Sequence, residues 1–164
     1  MDDWQERIDA VWDAAAGGLV DEEVIARIDA IAAERGPDDA EAAFERAGAR
    51  DSAGRPDEAV PLYRRALEIG LDDDRRAQAT IQLASSLRNL GDVDGALELI
   101  EAERAAHPES VYREAIAALH ALALASAGQP ERGLSVAVLA LVPHMPRYHR
   151  SMTAYAHEIA GDDA

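Results

Sequence analysis

Hydrophobic positions recur with a helical period along most of the chain. In the first segment, Trp4, Ile8, Val11, Trp12 and Ala15 fall at i, i+4, i+7, i+8 and i+11, which is one side of an α-helix. Alanine is abundant, β-branched residues are scarce, and no segment alternates Val, Ile or Tyr with polar residues as a strand would. The pattern therefore predicts an all-α protein.

Glycine and proline divide the chain into segments of about 12–18 residues, an ordinary length for a helix. The predicted helices span residues 3–16, 21–35, 38–53, 56–69, 74–90, 93–106, 110–127, 130–142 and 147–160. One residue conflicts with this division, because Pro61 lies inside the fourth helix and has no N–H to donate to the backbone. We therefore expect that helix to start late or to kink at Pro61.

A short phrase occurs three times at a constant spacing. Gly54, Gly91 and Gly128 lie 37 residues apart. A small residue stands five positions after each of these glycines: Ala59, Ala96 and Gly133. A period of this size is typical of stacked helix hairpins, because one hairpin cannot bury its apolar face without a neighbour. We expect each glycine to end the first helix of a hairpin in the left-handed conformation, and each small residue to let the second helix pack closely.

The residues around these glycines resemble the tetratricopeptide repeat. The phrase reads G-R-P-D-E-A from Gly54, G-D-V-D-G-A from Gly91 and G-Q-P-E-R-G from Gly128. Three longer stretches resemble the bacterial tetratricopeptide repeat group five: residues 51–67, 82–91 and 148–156. The period of 37 departs from the usual 34 of this family, and Gly133 stands where the family has Ala. The resemblance implies a right-handed superhelix of stacked antiparallel helix hairpins with about three repeats.

The expected organisation is one continuous domain in three parts. Residues 1–36 do not fit the repeat, and we expect an N-terminal helix pair that packs on the array. Residues 37–146 form the three tetratricopeptide-like repeats. Residues 147–164 form a capping helix and a short tail, because the end of a repeat array needs a helix that faces solvent.

The resemblance also implies a binding face, since the first helix of each repeat lines the concave side that holds a peptide or a partner helix. It places these residues in the groove: Phe44, Asp51, Gln78, Gln82, Ser85, Arg88, Asn89, Leu119 and Leu122. The best-known family mode, a clamp of Lys and Arg on a terminal carboxylate, is not expected. The clamp positions hold Phe44, Gly48, Gln82, Ala115 and Leu119.

The polar row from Gln78 to Asn89 lies between an acidic side and an apolar side. Such a row suits a peptide whose backbone amides need partners, with a basic residue at one end and an apolar anchor at the other. The alternative is that Arg88 pairs with Asp51 or Asp92 and that the amides face water.

The charge of the chain limits the class of partner. The sequence carries 32 acidic residues, 16 arginines and no lysine, for a formal net charge of −16, and residues 1–50 hold 14 of the acids against 5 arginines. Such a field repels phosphate backbones, so we expect no nucleic-acid partner, and it steers a basic partner towards the N-terminal half. The alternative is that the acidic surface only keeps the protein soluble.

Other sequence features limit the cellular compartment in which the protein is expected. The chain has no cysteine, no apolar run of transmembrane length and an acidic beginning. We therefore expect a cytoplasmic protein without membrane contact. The resemblance to the group-five repeats implies that it is bacterial.

Candidate catalytic and metal-binding residues have simpler structural explanations. His149 and His157 lie eight residues apart, about 12 Å along a helix, which is too far for one metal ion. His120 is expected to be a hydrogen-bonded core histidine, and Trp4 and Trp12 are expected to pack on the second helix. Without a catalytic or phosphate-binding motif, we expect no enzymatic activity, no cofactor and no metal.

Two functional hypotheses remain, and a third with less support is an enzyme that uses a carboxylate or a histidine in the groove. The first is a non-catalytic scaffold that binds another protein or a peptide in the groove. The alternative is a structural protein that forms a homodimer through its N-terminal helices, with the groove idle or filled by the chain's own tail.

Overall fold

The computed structural model describes residues 3–161, and all its regular secondary structure is helical. The nine α-helices in this range are α1 (Asp3–Ala16), α2 (Asp21–Ala32), α3 (Ala40–Ser52), α4 (Pro56–Ile69), α5 (Asp73–Asn89), α6 (Val93–Ala106), α7 (Arg113–Ser126), α8 (Pro130–Leu141) and α9 (His149–Ala160). A short 3₁₀ turn, Val142–His144, follows α8. The predicted all-α class is confirmed, and the predicted helix ends differ from the observed ones by at most three residues.

The expected late start of the fourth helix is wrong. Helix α4 begins at Pro56, and Pro61 lies inside it. Pro61 is exposed, so the backbone carbonyl of Asp57, which loses its helical donor, can bond to water instead. Pro56 itself occupies the first turn, where a missing N–H costs no helical hydrogen bond.

The three repeated glycines end their helices in the same way. Gly54, Gly91 and Gly128 have φ values of 70°, 88° and 76°, in the left-handed region predicted for them. In each turn the N–H of the following residue donates to a carbonyl five positions earlier at 2.9 Å: Arg55 to Arg50, Asp92 to Leu87, and Gln129 to Leu124. This bond is the mark of the Schellman motif. The constant sequence spacing therefore corresponds to one backbone turn made three times.

The N-terminal helix pair closes with the same turn. Gly18 has a φ of 97°, and the N–H of Leu19 donates to the carbonyl of Ala14 at 3.0 Å. Residues 1–36 do not match the repeated phrase, yet α1 ends as the first helix of a repeat does.

Gly133 lies at a close approach between α7 and α8. A Cβ at this position would lie 2.6 Å from the backbone oxygen of Ala121, so α8 packs on α7 at a distance that only glycine allows. The equivalent residues Ala59 and Ala96 are fully buried. The departure from the family pattern at Gly133 thus has a steric cause.

The chain divides into two compact units, one ending at Ser86 and the other beginning at Leu87. In the first unit α1 packs on α2, α2 on α3 and α3 on α4. Its core includes Trp4, Ile8, Val11, Val24, Ile25 and Ile28. In the second unit α6 packs on α7, α7 on α8 and α8 on α9. Packing between sequential helices is typical of a helical repeat array. Of the helices described, none is long and apolar enough to cross a bilayer.

A two-pronged ion pair ties α2 to α3 within the first unit. Arg50 donates from Nη1 to Asp29 Oδ1 at 3.0 Å and from Nη2 to Asp29 Oδ2 at 2.8 Å. The Asp29 side chain comes from α2 and the Arg50 side chain from α3, and both are less than half exposed. A guanidinium that binds both oxygens of one carboxylate fixes the orientation of the two groups as well as their distance.

Candidate functional site

A groove of about 720 Å³ opens in the first unit, and we call it the first-unit groove. The first helix of each hairpin, α1, α3 and α5, supplies most of its walls, and α4 adds one tyrosine. The lining residues are Gln5, Asp9, Trp12, Phe44, Glu45, Gly48, Asp51, Ser52, Tyr63, Asp74, Arg75, Gln78 and Gln82. Its size falls within the range of about 300–1,000 Å³ that is usual for ligand sites.

Three aromatic side chains line the groove. Trp12 is partly buried, and its indole Nε1 donates to Glu45 Oε2 at 2.8 Å. Gly48 lies beside this ring, and a Cβ there would meet Trp12 Cζ2 at 3.4 Å, an ordinary contact distance. The rings of Phe44 and Tyr63 meet at a tilt of 54° with their centroids 6.2 Å apart. Tyr63 is fully buried and Phe44 is 8% exposed, so the aromatic surface that the groove offers comes mainly from Trp12.

A hydrogen-bonded cluster joins α3, α4 and α5 beside these rings. The buried Tyr63 hydroxyl lies 2.5 Å from Gln82 Oε1 and 3.4 Å from Asp51 Oδ2, so its single proton can serve one acceptor at a time. Ser86 Oγ donates to Asp51 Oδ1 at 2.7 Å. Burial and the neighbouring Asp51 charge raise the pKa of Tyr63 far above its usual value. Tyr63 thus remains a neutral donor at all ordinary pH values.

The groove is acidic. Its lining holds four carboxylates, Asp9, Glu45, Asp51 and Asp74, against the single guanidinium of Arg75. Burial raises the pKa of Glu45, and the Trp12 hydrogen bond opposes that effect. The Arg75 guanidinium is already engaged by side chains of three residues: Asp72 at 2.8 Å, Gln5 at 2.7 Å and Glu41 at 3.3 Å. Little of its charge remains for a ligand, so the groove favours a cation.

Four of the nine residues predicted for the binding face lie together in this groove: Phe44, Asp51, Gln78 and Gln82. Ser85 belongs to the same unit but is not among the lining residues. The other four, Arg88, Asn89, Leu119 and Leu122, belong to the second unit.

Those four residues have separate environments. Arg88 donates to Asn89 Oδ1 at 3.1 Å and to Ser126 Oγ at 3.4 Å, while Asp51 accepts from Ser86. Within the second unit, the side-chain partners of Arg88 are thus an amide and a hydroxyl. Leu119 is 7% exposed and serves the core, whereas Leu122 is 54% exposed.

Helix α1 supplies the groove residues that the sequence did not predict. Gln5, Asp9 and Trp12 were missed because residues 1–36 do not fit the repeated phrase. The expectation that both tryptophans pack on α2 is correct for Trp4, whose Nε1 donates to the carbonyl of Ile31 at 3.0 Å. For Trp12 it is incomplete, because its indole bonds to α3. The signal that could have found these residues is Gly18, which lies 36 residues before Gly54 and ends α1 in the same way.

His120 lies in the core and is hydrogen-bonded, as predicted. Because arginine can only donate, Nη1 of Arg104 at 2.5 Å makes Nδ1 of His120 the acceptor, and Nε2 then donates to Glu101 at 3.3 Å. Burial and the Arg104 charge lower the pKa of His120. Across residues 3–161, no three His, Asp or Glu side chains are placed to hold a metal ion.

Comparison with known proteins gives one match. A family model described as "Tetratrico peptide repeat" matches residues 40–159, more than two thirds of the chain. A comparison with curated proteins finds no match.

Proposed function

Because the chain belongs to the tetratricopeptide repeat family, whose members generally bind other proteins or peptides, we propose that the first-unit groove binds a peptide segment through a basic residue. Members of this family are typically non-catalytic scaffolds, and we propose the same for this chain. The expectation of a bacterial cytoplasmic protein is part of this proposal.

The observation that carries the proposal is the combination of a partly exposed indole ring and carboxylates in one groove. Trp12 lines it together with Asp9 and Asp74. A guanidinium or ammonium group gains from both, because ring faces attract cations and carboxylates pair with them. An acidic groove without the ring would attract cations weakly and without selectivity for shape.

The rest of the groove suits the backbone of a peptide. Gln78 and Gln82 present amides that can donate to and accept from peptide groups, and the partly buried Trp12 offers an apolar contact. Gln78 already donates to Asp74 at 2.7 Å, so binding of a cation by Asp74 would also position this amide. We therefore expect an extended segment with one basic side chain and a neighbouring apolar one.

Two matched peptides test the proposal. One is Ac-Ala-Leu-Arg-Ala-Leu-Ala-amide, and in the other citrulline, which is neutral and nearly the same shape, replaces the arginine. We expect the arginine peptide to shift amide resonances of Gln78 and Gln82 in a saturable titration, and the citrulline peptide to bind about threefold to tenfold more weakly.

Variants then locate the charge effect. Asp9→Asn combined with Asp74→Asn should lower the affinity for the arginine peptide by about threefold to tenfold. The control combines Asp13→Asn with Glu98→Gln, two exposed sites outside the groove lining, and changes the net charge equally. Equal affinity for the two peptides, or equal effects of the two double variants, would contradict the proposal.

The alternative of self-association through the N-terminal helices has less support. Trp4, Ile8, Val11, Val24 and Ile28 are buried in the core of the first unit and cannot also meet a second copy. Sedimentation of the full chain over a hundredfold range of concentration tests this alternative. A dimer weakened by substitutions on the exposed faces of α1 and α2 would revive it.

A further inference from the structure

A second pocket, of about 310 Å³, lies in the second unit, and we call it the second-unit pocket. The end of α6, the first turn of α7 and the second half of α8 surround it. Its apolar wall includes Ile116, Val136 and Leu139. The volume is at the lower end of the range for ligand sites, so the pocket suits a small molecule.

The polar rim of this pocket has the opposite charge from the first-unit groove. Arg104, His107 and Arg113 line it against one carboxylate, Glu114. Glu114 is already paired, with Arg113 Nη2 at 2.9 Å and His144 Nε2 at 3.2 Å. Its own backbone N–H, the charge of Arg113 and the hydrogen bond with His144 lower the pKa of Glu114, so this carboxylate stays ionised and is already paired. In a chain of net charge −16, this rim is locally cationic.

Arg104 is held in position by a buried partner. Its Nη1 donates to Nδ1 of His120 at 2.5 Å, and His120 is 4% exposed. The other imidazole nitrogen of His120 donates to Glu101 Oε1 at 3.3 Å. A guanidinium carries five N–H groups, and one anchor leaves the others for an anion. Fixing a long side chain in advance reduces the entropy that a ligand must remove on binding.

From this arrangement we infer that the second-unit pocket binds a small aliphatic anion, a carboxylate on a short alkyl chain. The carboxylate pairs with Arg104, and the alkyl chain covers Ile116, Val136 and Leu139. Apolar burial at about 25 cal/mol per Å² favours the chain, and the guanidinium selects the sign of the charge. This inference does not depend on the proposed role of the first-unit groove.

The probe is sodium octanoate, added to the full-length ¹⁵N-labelled protein. We expect saturable shifts of the amide resonances of Ile116, Ala117 and Leu139, while those of Gln78 and Gln82 stay unchanged. Octylammonium has the same chain with a positive head group. The net charge of −16 attracts it from a distance, so a preference for octanoate can only arise from local cations.

Three variants test the contacts. Arg104→Gln keeps a donor for His120 but removes the charge, and it should lower the affinity for octanoate by about threefold to tenfold. Leu139→Trp should fill the pocket and abolish the shifts. Arg27→Gln is the control, since Arg27 forms an exposed pair with Glu23 in the first unit, and it should leave the affinity unchanged. Circular dichroism and a thermal melt establish that each variant is folded.

Several results would overturn the inference. These are shifts that do not saturate, equal affinity for octylammonium, and unchanged affinity in folded Arg104→Gln. Binding of a peptide that ends in leucine, without binding of octanoate, would overturn the assignment to a small molecule. Because the expected shifts are confined to residues of the second unit, none of these results bears on the arginine peptide.

Discussion

Substitution of Gly133 by alanine tests the helix packing that sets the repeat. Gly133 is buried in α8, and an added Cβ would lie 2.6 Å from the backbone oxygen of Ala121. Real Cβ atoms essentially never approach closer than 3.0 Å. Since the obstacle is backbone and not the end of a flexible side chain, α8 must move away from α7.

Two effects of opposite sign determine the magnitude. Glycine in a helix interior is about 1 kcal/mol less favourable than alanine, so Gly133→Ala gains that amount. Overpacking of a well-packed core costs about 1–3 kcal/mol. We therefore expect a net loss of up to about 2 kcal/mol in the free energy of unfolding.

Gly48→Ala provides the matched control. Gly48 is also inside a helix, but its added Cβ would meet the Trp12 ring at 3.4 Å, an ordinary contact distance. This variant should gain most of the helix-propensity term and become more stable by about 0.5–1 kcal/mol. The two substitutions are chemically identical, so propensity cancels and the difference between them reports the clash with Ala121.

The assay is urea unfolding followed by circular dichroism, with the midpoint and slope fitted for each variant. Gly133→Ala should lower the midpoint and Gly48→Ala should raise it. If Gly133→Ala proved as stable as Gly48→Ala, the close approach of α8 to α7 would not exist in solution. The explanation of the family departure at this position would then be wrong.

Three further predictions follow from single contacts. Arg50→Lys keeps the charge but loses the second prong on Asp29, so urea unfolding should show a loss of about 1 kcal/mol. Glu45→Gln should become progressively more stable relative to the parent as pH rises. Burial raises the native pKa of Glu45, so the native state binds more protons than the unfolded chain, and the parent loses stability from the unfolded pKa of about 4.5 up to the native one. His120 should titrate below its ordinary pKa of about 6.5 in an NMR titration of its ring protons. Because the native pKa of His120 is lowered, the unfolded chain binds the proton first as pH falls below about 6.5. The protein should therefore lose stability from that pH down to the native pKa, and His120→Gln should not show this loss.

The repeated turn could be predicted because it depends on local chemistry. A left-handed residue at the end of a helix favours glycine whatever surrounds it, so Gly54, Gly91 and Gly128 reveal their conformation through identity and spacing alone. Helix lengths follow from apolar periodicity and breakers for the same reason. The repeat resemblance assigned Phe44, Asp51, Gln78 and Gln82 to the first helices of two repeats, and the structure brings these four residues together in one groove.

The rest of the groove depends on contacts between helices, which no local pattern encodes. Trp12 and Glu45 are 33 residues apart, and their hydrogen bond requires a particular rotation of α1 against α3. Arg88 has the same limitation, because a long side chain can reach several acceptors, and its partner is set by the position of α7. Leu119 was expected on the concave binding face, but its side chain packs in the core.

The two proposed sites should respond differently to salt. The net charge of −16 attracts an arginine peptide to the first-unit groove and repels octanoate from the second-unit pocket. Raising the ionic strength from 0.01 to 0.15 M shortens the screening length from about 30 Å to about 8 Å, which removes most of this long-range contribution. A contact between a bound carboxylate and Arg104 is much shorter than the screening length, so salt weakens it less than it weakens the long-range repulsion.

We therefore expect the affinity for the arginine peptide to fall several-fold over this range, while that for octanoate stays level or rises. Isothermal titration at four salt concentrations measures both slopes on the same protein. A fall in octanoate affinity as steep as that of the peptide would mean that net attraction, and not repulsion, dominates at the pocket. The positive field of the rim would then outweigh the charge of the whole chain. In that case Arg113→Gln, which removes one positive charge from the rim, should make the octanoate affinity independent of salt again.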